Sequence, residues 1–93
     1  MVVIHPPVRY PRMGGVARRY GDRWCHMAAA PGHEAELHEL AARLGIARRH
    51  FQSTARVPHY DVRGSQFARA VELGARPVDS ARDLIRACRG GPR

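Results

Sequence analysis

The chain opens on Val2-Val3-Ile4, a β-branched run stopped by Pro6-Pro7, which predicts a short buried strand. Trp24 to Ala30 reads as a second strand, with Trp24, His26 and Ala28 on one face and Cys25, Met27 and Ala29 on the other. Leu37, Leu40, Ala41 and Leu44 then fall at i, i+3, i+4 and i+7, the stripe of a helix over residues 33–44. Glu34 and Glu36 at its start and Arg43 at its end suit the helix dipole. Gly45 offers a left-handed stop, after which Ile46 can fold back on the last turn. A further helical turn over 47–52, a loop over 53–58 and a short extended piece, His59-Tyr60-Asp61-Val62, follow. Phe67, Ala70 and Val71 mark a second helix over 65–73, ended by Gly74. Pro77-Val78-Asp79 reads as a brief third strand. Ser80, with Asp83 three residues on, opens a third helix over 80–88, whose stripe is Ala81, Leu84, Ile85 and Cys88.

This order predicts one α/β domain over residues 1–93, a short, partly parallel sheet containing 2–4 and 25–29 with about three helices packed on it. Residues 5–23 fit neither period and hold three prolines, three glycines and five arginines, so they read as a long basic loop, mobile in solution. Residues 89–93 read as a flexible tail. A chain of this length supports one modest core. No apolar run approaches the roughly 20 residues of a membrane span. The first residues lack the basic start and apolar core of a signal peptide. The expected setting is therefore the cytoplasm, where Cys25 and Cys88, in no CxxC pair, read as small buried hydrophobes.

Charge changes the picture most. Sixteen basic residues, all arginine, oppose eight acids for a net charge of +8. The surplus lies before residue 34 and over 46–70, flanking the acidic helix. Guanidinium forks suit phosphate-bearing partners. The absence of lysine beside abundant alanine and glycine is equally what a GC-rich coding bias writes. Arg9-Tyr10-Pro11-Arg12, Arg18-Arg19-Tyr20 and Arg48-Arg49-His50-Phe51 interleave arginines with rings. Arg9, Arg12, Arg18, Arg19, Arg48 and Arg49 are thus candidate contacts to nucleic acid or a phosphorylated small molecule, and an exposed ring can add about 1–3 kcal/mol of base stacking. No known nucleic-acid module accompanies them, and a solvated basic surface is the competing reading.

Ile4-His5-Pro6-Pro7, Trp24-Cys25-His26-Met27, Glu36-Leu37-His38, Leu44-Gly45-Ile46, Phe51 and His59-Tyr60-Asp61-Val62 occur in one order, closed by Leu73-Gly74-Ala75 and Val78. In this the chain, over roughly residues 2–85, resembles the bacterial and phage family catalogued as domain of unknown function 4031. The resemblance implies a shared domain and no particular activity. Its members usually carry an aspartate where this chain has His5, so any role of that carboxylate would fall to His5 here. The resemblance also strings together His26, His38, His59, Tyr60 and Asp61 as a polar set.

His59 and Asp61 are two residues apart and face the same way on an extended piece. A carboxylate beside an imidazole orients its tautomer and raises its basicity. His26 on a strand, His5 at a strand end and His59 are expected to converge at one end of the sheet, beyond the strands' carboxyl ends, where open α/β sheets bind ligands. In that arrangement His59 is ligand or general base, Asp61 its orienter and nearby arginines an anion clamp, with His26, His59 and Asp61 as the candidate catalytic residues. The alternative is that Tyr60 packs and the polar pair only holds a loop. Three histidines and Asp61 make a first-row metal set, although HExxH and short zinc spacings are absent. His33 and His38 lie about 140° apart on a helix and do not share a metal. Cys25 and His26, being strand neighbours, form no dyad. G-x-S-x-G and a P-loop are likewise missing.

Three functions fit these residues. The first is binding, with or without processing, of nucleic acid or a nucleotide through arginines and a His/Asp pocket. The second is a small metabolite enzyme using His/Asp acid–base or metal chemistry. The third is a non-catalytic adaptor whose long loop orders on a partner. Cofactor, metal content and homo-oligomerisation stay open at this level.

Overall fold

The computed structural model describes residues 1–10 and 21–89. Its strands are β1 (Val2–Ile4), β2 (Val8–Arg9), β3 (Arg23–Ala29), β4 (His59–Arg63) and β5 (Arg76–Pro77). The α-helices are α1 (Glu34–Arg43), α2 (Phe67–Glu72) and α3 (Ala81–Arg89), with 3₁₀ turns at Arg48–His50 and Gly64–Gln66. β3 is the centre of the sheet. It runs antiparallel to β4 on one side and to β1 and then β2 on the other, while β5 lies parallel to β1 at the outer edge. The expected α/β domain, with a mixed sheet and three helices, is therefore what forms.

Alternation along the strands builds a core on each face. Val2, Ile4, Cys25, Met27, Ala29, Tyr60 and Val62 point to the α1 side and pack with Leu37, Leu40, Ala41 and Ala70. Tyr60, Ile4, Met27 and Leu37 are almost wholly enclosed, and burial of each such side chain stabilises by about 1.5–3 kcal/mol. The opposite face carries a smaller core, Val3 and Ala28 under Leu84 and Cys88 of α3, with Val57 and Val78 beside them. Both cysteines are buried, and desolvation pushes their thiols up to about 12 for Cys25 and about 11 for Cys88. They are packing groups, as their isolation in sequence suggested.

Two helices end in the same way for the same reason. After α1, Gly45 takes a φ of +80°; its N–H donates to the Ala42 carbonyl, and that of Ile46 to Ala41, each at 2.9 Å. After α2, Gly74 (φ +117°) and Ala75 repeat the pattern on Val71 and Ala70, each at 3.0 Å. Both are Schellman closures, which satisfy carbonyls the helix leaves open. At α3 the Ser80 hydroxyl accepts the Asp83 N–H at 3.2 Å, the cap expected from that spacing.

Three expectations need correction. Residues 5–23 are not all loop, since Val8 and Arg9 pair with Trp24 and Arg23. A two-residue strand between prolines shows no period, and only its partner on β3 defines it. Residues 11–20 of that stretch lie outside the described residues, as do 90–93 of the expected tail; Arg89, the tail's first residue, instead closes α3. The third strand falls on Arg76–Pro77 rather than 77–79 because β1 pairs with it there, Val78 adding one bond from its N–H to the Ile4 carbonyl. Among the described residues, no helix is long and apolar enough to cross a membrane.

One irregularity positions the site. Ile4 pairs with Met27, yet Val8 pairs with Trp24, so four steps on the β1–β2 side oppose three on β3. The extra residue is a bulge at His5-Pro6-Pro7, where two prolines supply no N–H to a ladder. It leaves His5 facing the α3 side, beside His26.

Candidate metal centre

His26, opposite Asp61 in the β3–β4 ladder, shares with it the face that α3 covers only farther along. His59 follows on the same face of β4, and His5 arrives from the bulge. The rings of His5 and His26 meet edge to face at 5.0 Å between centroids, those of His26 and His59 at 4.6 Å. The cluster lies on the face of the sheet. It was expected beyond the carboxyl ends of the strands, but the crossing is antiparallel, so no such shared end exists.

Proton positions follow from the partners. His5 Nδ1 lies 2.7 Å from the Pro6 carbonyl oxygen and donates to it, because a carbonyl only accepts. His5 Nε2 is then an acceptor, and it takes the His26 backbone N–H at 3.0 Å. His59 Nδ1 likewise donates to the Val57 carbonyl at 2.8 Å, leaving Nε2 with its lone pair. The Asp61 Oδ2 atom accepts from the Gln52 amide at 2.5 Å. What remains is Asp61 Oδ1, 3.5 Å from both His26 Nε2 and His59 Nε2.

The ligand atoms that the three side chains offer all lie within 4.8 Å of one another. Tetrahedral metal with bonds of about 2.0–2.2 Å spaces its ligands by roughly 3.3–3.5 Å, close to the two His–Asp separations here. The side chains of His26, His59 and Asp61 are 32%, 16% and 42% exposed, so the cluster is open to an incoming ligand. Two imidazoles and a carboxylate with an open side form a donor set for a first-row divalent metal.

Electrostatics agree with the geometry. Asp61 is held below the usual carboxylate range first by its bond to His59, with the charges of both histidines and the hydrogen bond from Gln52 adding to it. His59 is raised, chiefly by Asp61. His26 is lowered, first by burial and then by the neighbouring His59. Tyr10, its ring 6.4 Å from that of His26, is raised by burial and by the Asp61 charge.

The other candidates fall elsewhere. Arg9 on β2 is ion-paired with Asp22 at 2.8 Å. Arg48 and Arg49 sit on the 3₁₀ turn, where Arg48 faces the His38–Tyr60 pair on the α1 side, opposite the His/Asp face. Arg12, Arg18 and Arg19 lie outside the described residues. His38 Nδ1 is hydrogen-bonded to the Tyr60 hydroxyl at 2.7 Å and its ring meets Phe51 at 4.6 Å, while His33 is exposed beside Glu36. Gln52 went unseen in the sequence, and Tyr10 was read there only as a ring among arginines, not as a neighbour of His26. Gln52 reaches Asp61 only because it bridges to His59 outside any regular strand, and Tyr10 arrives through the bulge.

The family model described as protein of unknown function DUF4031 matches residues 12–90. The chain belongs to this family. No curated protein and no solved structure matches it.

Proposed function

We propose that this domain is a metal-dependent catalyst for a phosphate-bearing substrate, a nucleic acid or a nucleotide, with a first-row divalent metal held by His26, His59 and Asp61. One observation carries the reading: each side chain has its rear atom engaged, by His5, Val57 or Gln52, and its other ligand atom within 4.8 Å of the other two. As bare acceptors these atoms repel, and either the proton that joins His59 to Asp61 or a metal cation among all three relieves that repulsion. Two neutral imidazoles and one carboxylate leave a divalent ion with a net charge of about +1, which favours an anionic oxygen at the open side. Such an ion polarises a phosphoryl oxygen, and the net charge of +8 draws polyanions toward the domain.

A second reading uses the same residues without metal. The raised pKa of His59 and its carboxylate partner fit a general base acting on a small metabolite. The experiment separates the two. Chelator-stripped protein, with and without added Zn²⁺ or Mn²⁺, is assayed for phosphate-ester cleavage on a single-stranded oligonucleotide and on a nucleoside triphosphate. Metal-dependent turnover of either, lost in His59→Ala, is the expected result, and the substrate turned over tells polymer from nucleotide. Turnover unchanged by the chelator supports the acid–base reading, and turnover of neither substrate with any metal contradicts the proposal.

A further inference from the structure

His5 is the one polar or charged residue fully enclosed among the described residues, and nothing in a strand of this length requires a histidine there. Its surroundings give it work. The bulge at His5-Pro6-Pro7 interrupts the ladder where His26 would find its backbone partner on the β1–β2 side. The His5 N–H still donates to the His26 carbonyl, at 3.4 Å. The return bond runs from the His26 N–H to the His5 ring at Nε2, at 3.0 Å. A side chain has replaced a main-chain carbonyl.

The same Nε2 lies 2.9 Å from His26 Nδ1. Since the Pro6 carbonyl holds the proton of His5 on Nδ1, Nε2 has only a lone pair to offer. His26 Nδ1 is therefore the donor, sharing that one lone pair with the His26 backbone N–H in a three-centre bond. A neutral imidazole carries one ring proton, so His26 Nε2 is left bare, facing Asp61 Oδ1 and His59. We infer that His5 is a positioning residue: its ring, protonated by geometry on Nδ1, fixes His26 in the Nδ1–H tautomer and so turns His26 Nε2 into a metal-ligating atom. The inference deepens the metal reading, yet the tautomer itself is a property of the metal-free protein. One acceptor pins the backbone and the ring of His26 together, which also fixes the ring's orientation. His59 receives the equivalent service from the Val57 carbonyl, so of the two histidines only His26 depends on another side chain.

The test is nitrogen NMR of the ring atoms in metal-free protein at about pH 8, above the usual histidine range. Wild type should carry the His26 proton on Nδ1, with a scalar coupling across the hydrogen bond to His5 Nε2. His5→Gln, whose amide oxygen can accept in place of the ring nitrogen, should keep that tautomer. His5→Leu should move the proton to Nε2 and weaken Zn²⁺ binding by about 10–100-fold, the range for loss of an outer partner of a ligand. A wild-type His26 protonated on Nε2 would overturn the inference, as would a His5→Leu protein with the Nδ1 tautomer and unchanged Zn²⁺ affinity. If His5→Leu does not fold, the wild-type coupling and the His5→Gln spectrum decide the matter alone. Wild type that binds no zinc but shows the coupling defeats the metal proposal and leaves the role of His5 standing.

Discussion

His59 meets two opposed demands at a single atom. Its Nε2 can take a proton, which Asp61 favours, or a metal, which needs the lone pair. The sign of the pH effect follows. Because Asp61 raises the pKa of His59, protons compete for the site at a higher pH than for an ordinary histidine, near 6.5. Apparent Zn²⁺ affinity should be steady in mild alkali and fall as pH drops through the raised pKa, with protons released on binding. Without metal the same shift works in favour of folding. Its contribution is fully present below the unfolded pKa and is lost as pH rises through the folded one. His26, lowered by burial, opposes it, costing stability as pH falls below the unfolded value. Calorimetry in buffers of different ionisation enthalpy reads the proton release. His59→Ala should weaken Zn²⁺ by more than the roughly 10–100-fold that outer-shell changes cost, and it should also lower thermal stability, because the ring is only 16% exposed and bonds the Val57 carbonyl.

The elements that carry these residues are held by features remote from the site, so they can be perturbed separately. The Schellman glycines are the clearest case. A Cβ at Gly45 would meet no atom within 4 Å, so the penalty of Gly45→Ala lies in the backbone, at φ +80°. We expect a loss of about 1 kcal/mol or slightly more, which lowers Tm by roughly 4–8 °C in a domain of this size, with Zn²⁺ affinity unchanged. Ser80→Ala should cost about 0.5–2 kcal/mol through the lost cap on α3, measured in the same thermal melts. The bulge behaves differently, since it both interrupts the ladder and delivers His5. A buried His26 N–H left without its acceptor costs about 1–3 kcal/mol, so His5→Leu should change stability and metal affinity together, unlike Gly45→Ala.

Across the whole molecule, helical stripes were readable because Leu37, Leu40 and Ala41 of α1, Leu44 at its end, and Leu84 and Cys88 of α3 meet a core at helical spacing, although Ile85 of the stripe expected in α3 stays 40% exposed. The glycine stops and Ser80 cap are local chemistry. The facing of His59 and Asp61 followed from strand alternation. What lay hidden depends on partners distant in sequence. β2 is defined by Arg23 and Trp24, the bulge by a count of steps against β3, and Gln52 by one isolated bridge. The arginines illustrate the converse, since composition showed their number while the fold places Arg9 and Arg48 away from the His/Asp cluster. For the proposed substrate, Arg9 and Arg48 would thus supply long-range attraction rather than contact at the centre. If the substrate is a nucleic acid, log affinity should fall with log salt by about 0.7–0.9 per phosphate neutralised, and Arg18→Ala with Arg19→Ala should flatten that slope. All of this turns on the centre itself. Calorimetric titration of Zn²⁺ into chelator-treated protein tests it most directly. The account predicts one equivalent bound with proton release, abolished in the His26→Ala/His59→Ala double variant; no binding by wild type, or equal binding by the double variant, would contradict it.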